Sequence, residues 1–175
     1  MYLLVTAFIV ILVLSGCVQR SAWIPVSGEA AKMVAAPIIN TDGEKMGEVT
    51  FTEATEGVTI HITAEGLTPG LHGTHIHSKG KCKSPDFESA GGHFNPLAKE
   101  HGFENSKGFH LGDLPNIEVD KSGKIKVELT TKEFSLDSLL DSDGSSLVIH
   151  KDPDDYKTDP SGNSGERIAC AAIKK

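Results

Sequence analysis

The chain has 175 residues, with 17 Lys+Arg against 24 Asp+Glu for a formal net charge of −7, 38% apolar residues, 8 histidines and 3 cysteines. A chain of this length holds one domain plus a leader or a tail, and its composition is too ordinary for a disordered chain, a coiled coil or a multi-spanning membrane protein. The negative balance argues against nucleic acid as a partner, because phosphate-backbone binding needs a basic face.

Met1 to Gly16 carries no charged side chain, and all but Thr6, Ser15 and Gly16 are apolar. A run this short falls below the roughly 18 residues expected of a transmembrane helix and suits the apolar region of a signal peptide. Its end, Leu14-Ser15-Gly16-Cys17, resembles a bacterial lipobox, in which the cysteine is acylated and becomes the first mature residue. On this reading residues 1–16 are a lipoprotein signal peptide and Cys17 is the lipidation site. Residues 17–32 are then a tether, and residues 33–175 are the domain, held at the exported face of the cell membrane. Cys82 and Cys170 remain as a pair, and an even count in an exported protein reads as a disulfide.

Beyond the leader, alternation dominates. In chain order, strand-like runs are Val34–Ile38, Gly47–Thr52, the Val58/Ile60/Ile62 alternation with Thr59, His61 and Thr63, and Leu71–His77. Ile117–Val119, the Ile125/Val127/Leu129 alternation, Ser146–His150 and Arg167–Ile173 follow. Asp42-Gly43 and Asp120-Lys121-Ser122-Gly123 supply tight turns. Eight short strands with one apolar face each predict an all-β antiparallel sandwich or barrel. Two connections are too long for that scheme, residues 78–113 and 151–166, and long loops in a compact domain are usually functional. Each begins directly after a histidine, His77 and His150.

His75 and His77, two residues apart on a predicted strand, leave the same face of the sheet. His93, His101, His110 and Asp113 follow in the first long loop, and His150 closes the run at a strand end. Six histidines and a carboxylate exceed the four ligands of one tetrahedral site; two sites sharing one ligand accommodate all seven. An imidazole-rich set without thiolate favours copper and zinc over iron–sulfur chemistry. His61, on the polar side of its strand, reads as solvated, and His72, which faces away from His75 and His77, as a structural hydrogen-bonding residue.

Leu71-His72-Gly73-Thr74-His75-Ile76-His77 resembles one signature of the copper/zinc superoxide dismutases, and Gly162-Asn163-Ser164-Gly165-Glu166-Arg167-Ile168-Ala169-Cys170 resembles the second. Gly92-His93-Phe94-Asn95-Pro96 and His110-Leu111-Gly112-Asp113-Leu114 are also similar to that family. The resemblance implies an eight-stranded Greek-key barrel with two functional loops. It implies copper on His75, His77, His93 and His150, and zinc on His93, His101, His110 and Asp113, with His93 bridging. It further implies that Asp154 links the two ligand shells, that Arg167 docks the superoxide anion, and that Cu(II)/Cu(I) cycling converts superoxide to O₂ and H₂O₂. Thr74 stands where an aromatic residue is common in the signature, and the lysine-and-glutamate steering pair of animal and plant members has no clear counterpart. Two other readings are a non-catalytic copper/zinc-binding lipoprotein and a zinc hydrolase. The latter needs an open zinc position and a general base, whereas Asp113 and three histidines close the shell. A homodimer is one assembly compatible with the sequence, which does not fix the oligomeric state.

Overall fold

The computed structural model describes residues 31–175. The signal-peptide reading, Cys17 and nearly all of the tether lie outside the described residues. Among the described residues, no helix is long and apolar enough to cross a membrane.

Strands β1 (Met33–Asn40), β2 (Lys45–Ala54) and β3 (Gly57–Glu65) run up and down in one sheet. Val58, Ile60, Ile62 and Ala64 of β3 turn inward and Thr59, His61 and Thr63 turn out, the period-2 pattern of a half-buried strand. The β1–β2 turn is held by the Asn40 carboxamide oxygen, which accepts the N–H groups of Asp42 and Glu44 at 3.0 and 2.9 Å, and by Gly43 at φ 84°. Further along lie β4 (Gly70–His72), β5 (Thr74–His77), β6 (Ile117–Val119), β7 (Lys124–Thr131), a short helix α1 (Leu136–Leu139), β8 (Ser145–His150) and β9 (Arg167–Ile173).

Seven strands form one curled antiparallel sheet in the order β5-β8-β9-β1-β2-β3-β7, and β4 pairs with β6 in a second small sheet. The neighbours β9–β1 and β3–β7 are distant in sequence, which gives the crossovers of a Greek key. A single apolar cluster fills the curl, from Ile38, Phe51, Ile60 and Ile62 across to Ile76, Leu147, Ile149 and Ala171. All six residues of β8 are buried, because its inner face meets this core while Val148 on the outer face packs with Phe87, Ala90 and Cys170.

The run Leu71–His77 differs from the single strand its alternation suggests. It breaks at Gly73 into β4 and β5, which belong to different sheets. The Gly73 N–H donates to Asp152 O at 2.9 Å, and its carbonyl accepts from His150 N at 2.8 Å. A Cβ at position 73 would lie 2.6 Å from Ser164 Oγ and 2.9 Å from its Cβ, so glycine lets the loop after β8 seat directly on the chain. Helix α1, capped by Ser135, whose side chain accepts the Ser138 N–H, is too short to leave a helical period in the sequence.

This topology delivers the site. β5 pairs with β8, and β8 with β9, where His150 faces Arg167 in register. The long loop returns against β5 through the isolated bridges His75–Asp113 and His77–His93. The Cys82–Cys170 disulfide, with Cα atoms 5.7 Å apart and 88 positions between them in sequence, ties that loop to β9. In the chain-entropy view a closure of this length stabilises by roughly 4–5 kcal/mol, and often by less in practice.

Candidate metal centre

His75 and His77 project from the outer face of β5. His93 comes back from the long loop and stacks on His75 with ring centroids 4.0 Å apart, and His150 meets His75 edge-on at 4.9 Å. One nitrogen from each of these four rings lies within 4.8 Å of the others. Those buried nitrogens, His75 Nδ1, His77 Nε2, His93 Nε2 and His150 Nε2, have no hydrogen-bond partner. The opposite nitrogen of three rings is tied. His75 Nε2 contacts Asp154 Oδ2 at 2.9 Å, His77 Nδ1 contacts Gly91 O at 2.9 Å, and His150 Nδ1 contacts Gly165 O at 3.2 Å. A proton on each tied nitrogen leaves the lone pair of the other facing the shared space, which is how outer acceptors fix a metal-ligating imidazole. An unpaired buried polar group costs about 1–3 kcal/mol, so four converging ones fit a metal ion as their missing partner.

A second cluster centres on Asp113. Its Oδ1 lies 2.9 Å from His93 Nδ1, 3.0 Å from His101 Nδ1 and 3.3 Å from His110 Nδ1. His110 Nδ1 is also 3.2 Å from His93 Nδ1. The other carboxylate oxygen accepts the N–H groups of Gly102 and His110, both at 3.0 Å. Nitrogens of His75, His93 and His101 and an Asp113 oxygen lie within 4.8 Å of one another; His110, which reaches Asp113 and His93, would complete three imidazoles and one carboxylate, the donor types of a zinc site. His75 also approaches this cluster, but its Nε2 is committed to Asp154, and its free Nδ1 belongs with the first set. His93 presents Nε2 to the first cluster and Nδ1 to the second, with no carboxylate among the described residues other than Asp113 bonded to it.

Asp154 joins the halves: Oδ2 meets His75 and Oδ1 meets His101 Nε2 at 3.0 Å. Sequence reasoning missed what holds it. Asn116 brackets the Asp154 backbone, accepting its N–H at 2.8 Å and donating to its carbonyl at 2.9 Å. Gly162, at φ 64°, makes room for it, since a Cβ there would run into Asp154 Oδ1 and lie 2.7 Å from His101 Nε2. Arg167 donates to Phe87 O at 2.7 Å and to Gly91 O at 2.8 Å, so one carbonyl orients both the arginine and His77. The arginine opens onto a cavity of about 500 Å³ that Asp86, Glu88 and Glu166 also line.

The two remaining histidines stand apart. His72 places Nδ1 2.7 Å from His150 O and Nε2 2.8 Å from Thr68 O, a purely structural clamp. His61 sits on the outer sheet surface, 4.0 Å from Glu128.

Electrostatics separate the two halves. Burial lowers His75 despite Asp154, takes His77 well below its ordinary value, and brings His93 to about 4 and His150 to about 3. These rings stay neutral at pH 7, as ligands must. His101 goes the other way: burial opposes charge, but Asp113 and Asp154 on its two nitrogens raise it to about 9. Both carboxylates, although desolvated, are held well below the usual range by their histidines.

The linkage has a definite sign in the metal-free chain. Between pH 6.5 and about 4, unfolding lets His93 and His150 take up protons that the fold excludes, so stability falls as pH falls. His101 contributes stability below 6.5 that is lost as pH rises through about 9. The urea midpoint of chelator-treated protein is therefore expected to be highest near pH 6.5 and lower at both pH 4.5 and pH 9. A midpoint that rises toward pH 4.5 would contradict this electrostatic picture.

Fold and site together define an antiparallel Greek-key barrel carrying two adjoining donor sets that share one histidine, beside a clamped arginine. The chain belongs to the copper/zinc superoxide dismutase family: the family model described as copper/zinc superoxide dismutase (SODC) matches residues 45–173. It is 50% identical over 143 residues to the superoxide dismutase-like protein YojM of Bacillus subtilis (strain 168), covering 78% of this chain and 73% of that one. It is 47% identical over 145 residues to superoxide dismutase [Cu-Zn] 2 of Aquifex aeolicus (strain VF5), covering 79% and 85%. A crystal structure of a SOD-like protein from Bacillus subtilis superposes with a TM-score of 0.79 at 48% identity, covering 82% of this chain and 99% of that one. The family's cofactors are copper and zinc, and the two donor sets suit them.

Proposed function

We propose that the chain is an active superoxide dismutase, converting two superoxide anions and two protons to O₂ and H₂O₂. The observation that carries this reading is the set of four unpartnered, buried imidazole nitrogens on His75, His77, His93 and His150, which would hold copper beside Arg167. His93, His101, His110 and Asp113 would hold zinc. Copper would supply the redox couple, oxidising one superoxide and reducing the next, and zinc a fixed positive charge on the His93 side.

The chain's own groups do the rest. Arg167 stays a guanidinium cation even half-buried, and its two carbonyl clamps aim it toward the copper half, where it docks an anion. Local positive potential of this kind attracts superoxide whatever the net charge, because clefts focus field lines. His93 holds Nδ1 against Asp113, and its Nε2 could carry a proton for the reduced substrate only while that nitrogen is free of metal. Asp154 keeps His75 and His101 in register, so the two halves keep one geometry. On the same reading Cys17 anchors the domain through lipid at the exported face of the membrane.

A non-catalytic copper/zinc-binding protein is the second reading, because the 50% identical Bacillus relative is named superoxide dismutase-like and not superoxide dismutase. A metal buffer has no need of an anion-docking arginine. The test is superoxide decay, followed by pulse radiolysis, on protein loaded with copper and zinc at one each per chain. Second-order decay that scales with copper content is expected. Full copper loading with no decay above background would sink the enzyme reading and leave the binding protein.

A further inference from the structure

The outward nitrogens of the unshared imidazoles follow one pattern. His75 and His101 meet Asp154, while His77 and His150 meet the Gly91 and Gly165 carbonyls. His110 departs from it: its Nδ1 faces Asp113 and His93, and its Nε2 faces the Asp159 carboxylate, with Oδ1 at 3.9 Å. The same Oδ1 accepts the backbone N–H of His101 at 2.7 Å. Asp159 lies five positions beyond Asp154 in the loop after β8, so that loop presents one carboxylate to the buried side of this half and another to its solvent side. The Asp154 side chain is wholly buried, while that of Asp159 is 47% exposed.

We propose that Asp159 is a positioning residue of the zinc half, holding the His101 backbone N–H by a hydrogen bond and setting a negative charge beside His110 Nε2 at ion-pair distance. This deepens the zinc assignment and rests on it. The physics is that of any carboxylate behind a ligating imidazole: it selects the tautomer with the proton on Nε2, orients the ring and makes Nδ1 a stronger donor. Among the described residues no other carboxylate is placed to do this for His110, since Asp113 occupies the Nδ1 side and Asp154 is engaged by His75 and His101.

The test is zinc transfer from the copper/zinc-loaded full chain to a chromophoric chelator. Loss of an outer carboxylate typically weakens metal binding about 10–100-fold, and Asp159→Ala is expected to weaken zinc retention by that factor while copper stays bound. Asp159→Asn keeps an oxygen for the His101 N–H but removes the charge facing His110, so it should fall between wild type and Asp159→Ala. The thermal midpoint of the metal-free Asp159→Asn chain, which keeps an acceptor for the His101 N–H, should match that of wild type, a readout that separates positioning from general loop damage. Zinc retention unchanged in Asp159→Ala would overturn the inference. So would joint loss of zinc and copper with a lowered metal-free midpoint, which marks a loop-wide defect. A wild-type chain that takes up no zinc would overturn the zinc assignment itself, and this inference with it.

Discussion

Replacing His150 with alanine is expected to abolish dismutation while zinc stays bound. His150 contributes Nε2, one of the four unpartnered nitrogens, and makes no contact with Asp113 or His110. Its ring is held through Nδ1 by Gly165 O alone, whereas the backbone that positions Arg167 and His72 is unaffected by truncating the side chain. The expected loss in copper affinity exceeds the roughly 10–100-fold that follows loss of an outer hydrogen-bond partner, because a direct donor is gone. Elemental analysis after dialysis should show zinc near one per chain and copper depleted, with superoxide decay at background. Retained turnover in His150→Ala would remove this residue from the copper set.

The second large effect is expected at a residue that carries no chemistry of its own. Gly162→Ala puts a methyl group where the Asp154 carboxylate sits, at a backbone conformation (φ 64°) that L side chains adopt only with strain. The carboxylate must move, which releases His75 on one side and His101 on the other. Both metals should bind about 10–100-fold more weakly, although neither ligand set has lost a donor. Asp154→Ala should reproduce the defect, and the double variant should be little worse than either alone, since both act through one contact. Normal metal affinity in Gly162→Ala would show that the carboxylate link is dispensable.

These two residues mark what could be read before the structure was known. His75 and His77 were legible because a period of two puts both rings on one face of a strand, and His150 because it ends an apolar run. Histidines 93, 101 and 110 lie in a loop with no period, so residue spacing gave their number, and only the likeness to known signatures gave their partners. Asn116, Gly162 and Asp159 left no local trace: each acts on a residue brought near by the loop after β8, at separations such as the 38 positions between Asn116 and Asp154. The carbonyls of Gly91 and Gly165 are invisible in principle, because every residue has one. For the fold, alternation located eight runs where the structure has nine strands, because it runs unbroken through residues 71–77 and hides the change of sheet at Gly73. That break depends on the close approach of Ser164 and Asp152, which no local pattern encodes.

The charge of −7 takes on a different meaning beside Arg167. Asp86, Glu88 and Glu166 share its cavity, so attraction of superoxide has to come from the guanidinium and the bound metals over short range. Dismutation at this site depends above all on the four unpartnered imidazole nitrogens taking copper. Diffraction from crystals of the copper/zinc-loaded protein, recorded on both sides of the copper and zinc absorption edges, tests that directly. The predicted result is a copper peak within bonding distance of His75 Nδ1, His77 Nε2, His93 Nε2 and His150 Nε2, and a zinc peak enclosed by His93, His101, His110 and Asp113. A copper peak that leaves out His150 or His93, or zinc in both positions after copper loading, would contradict it.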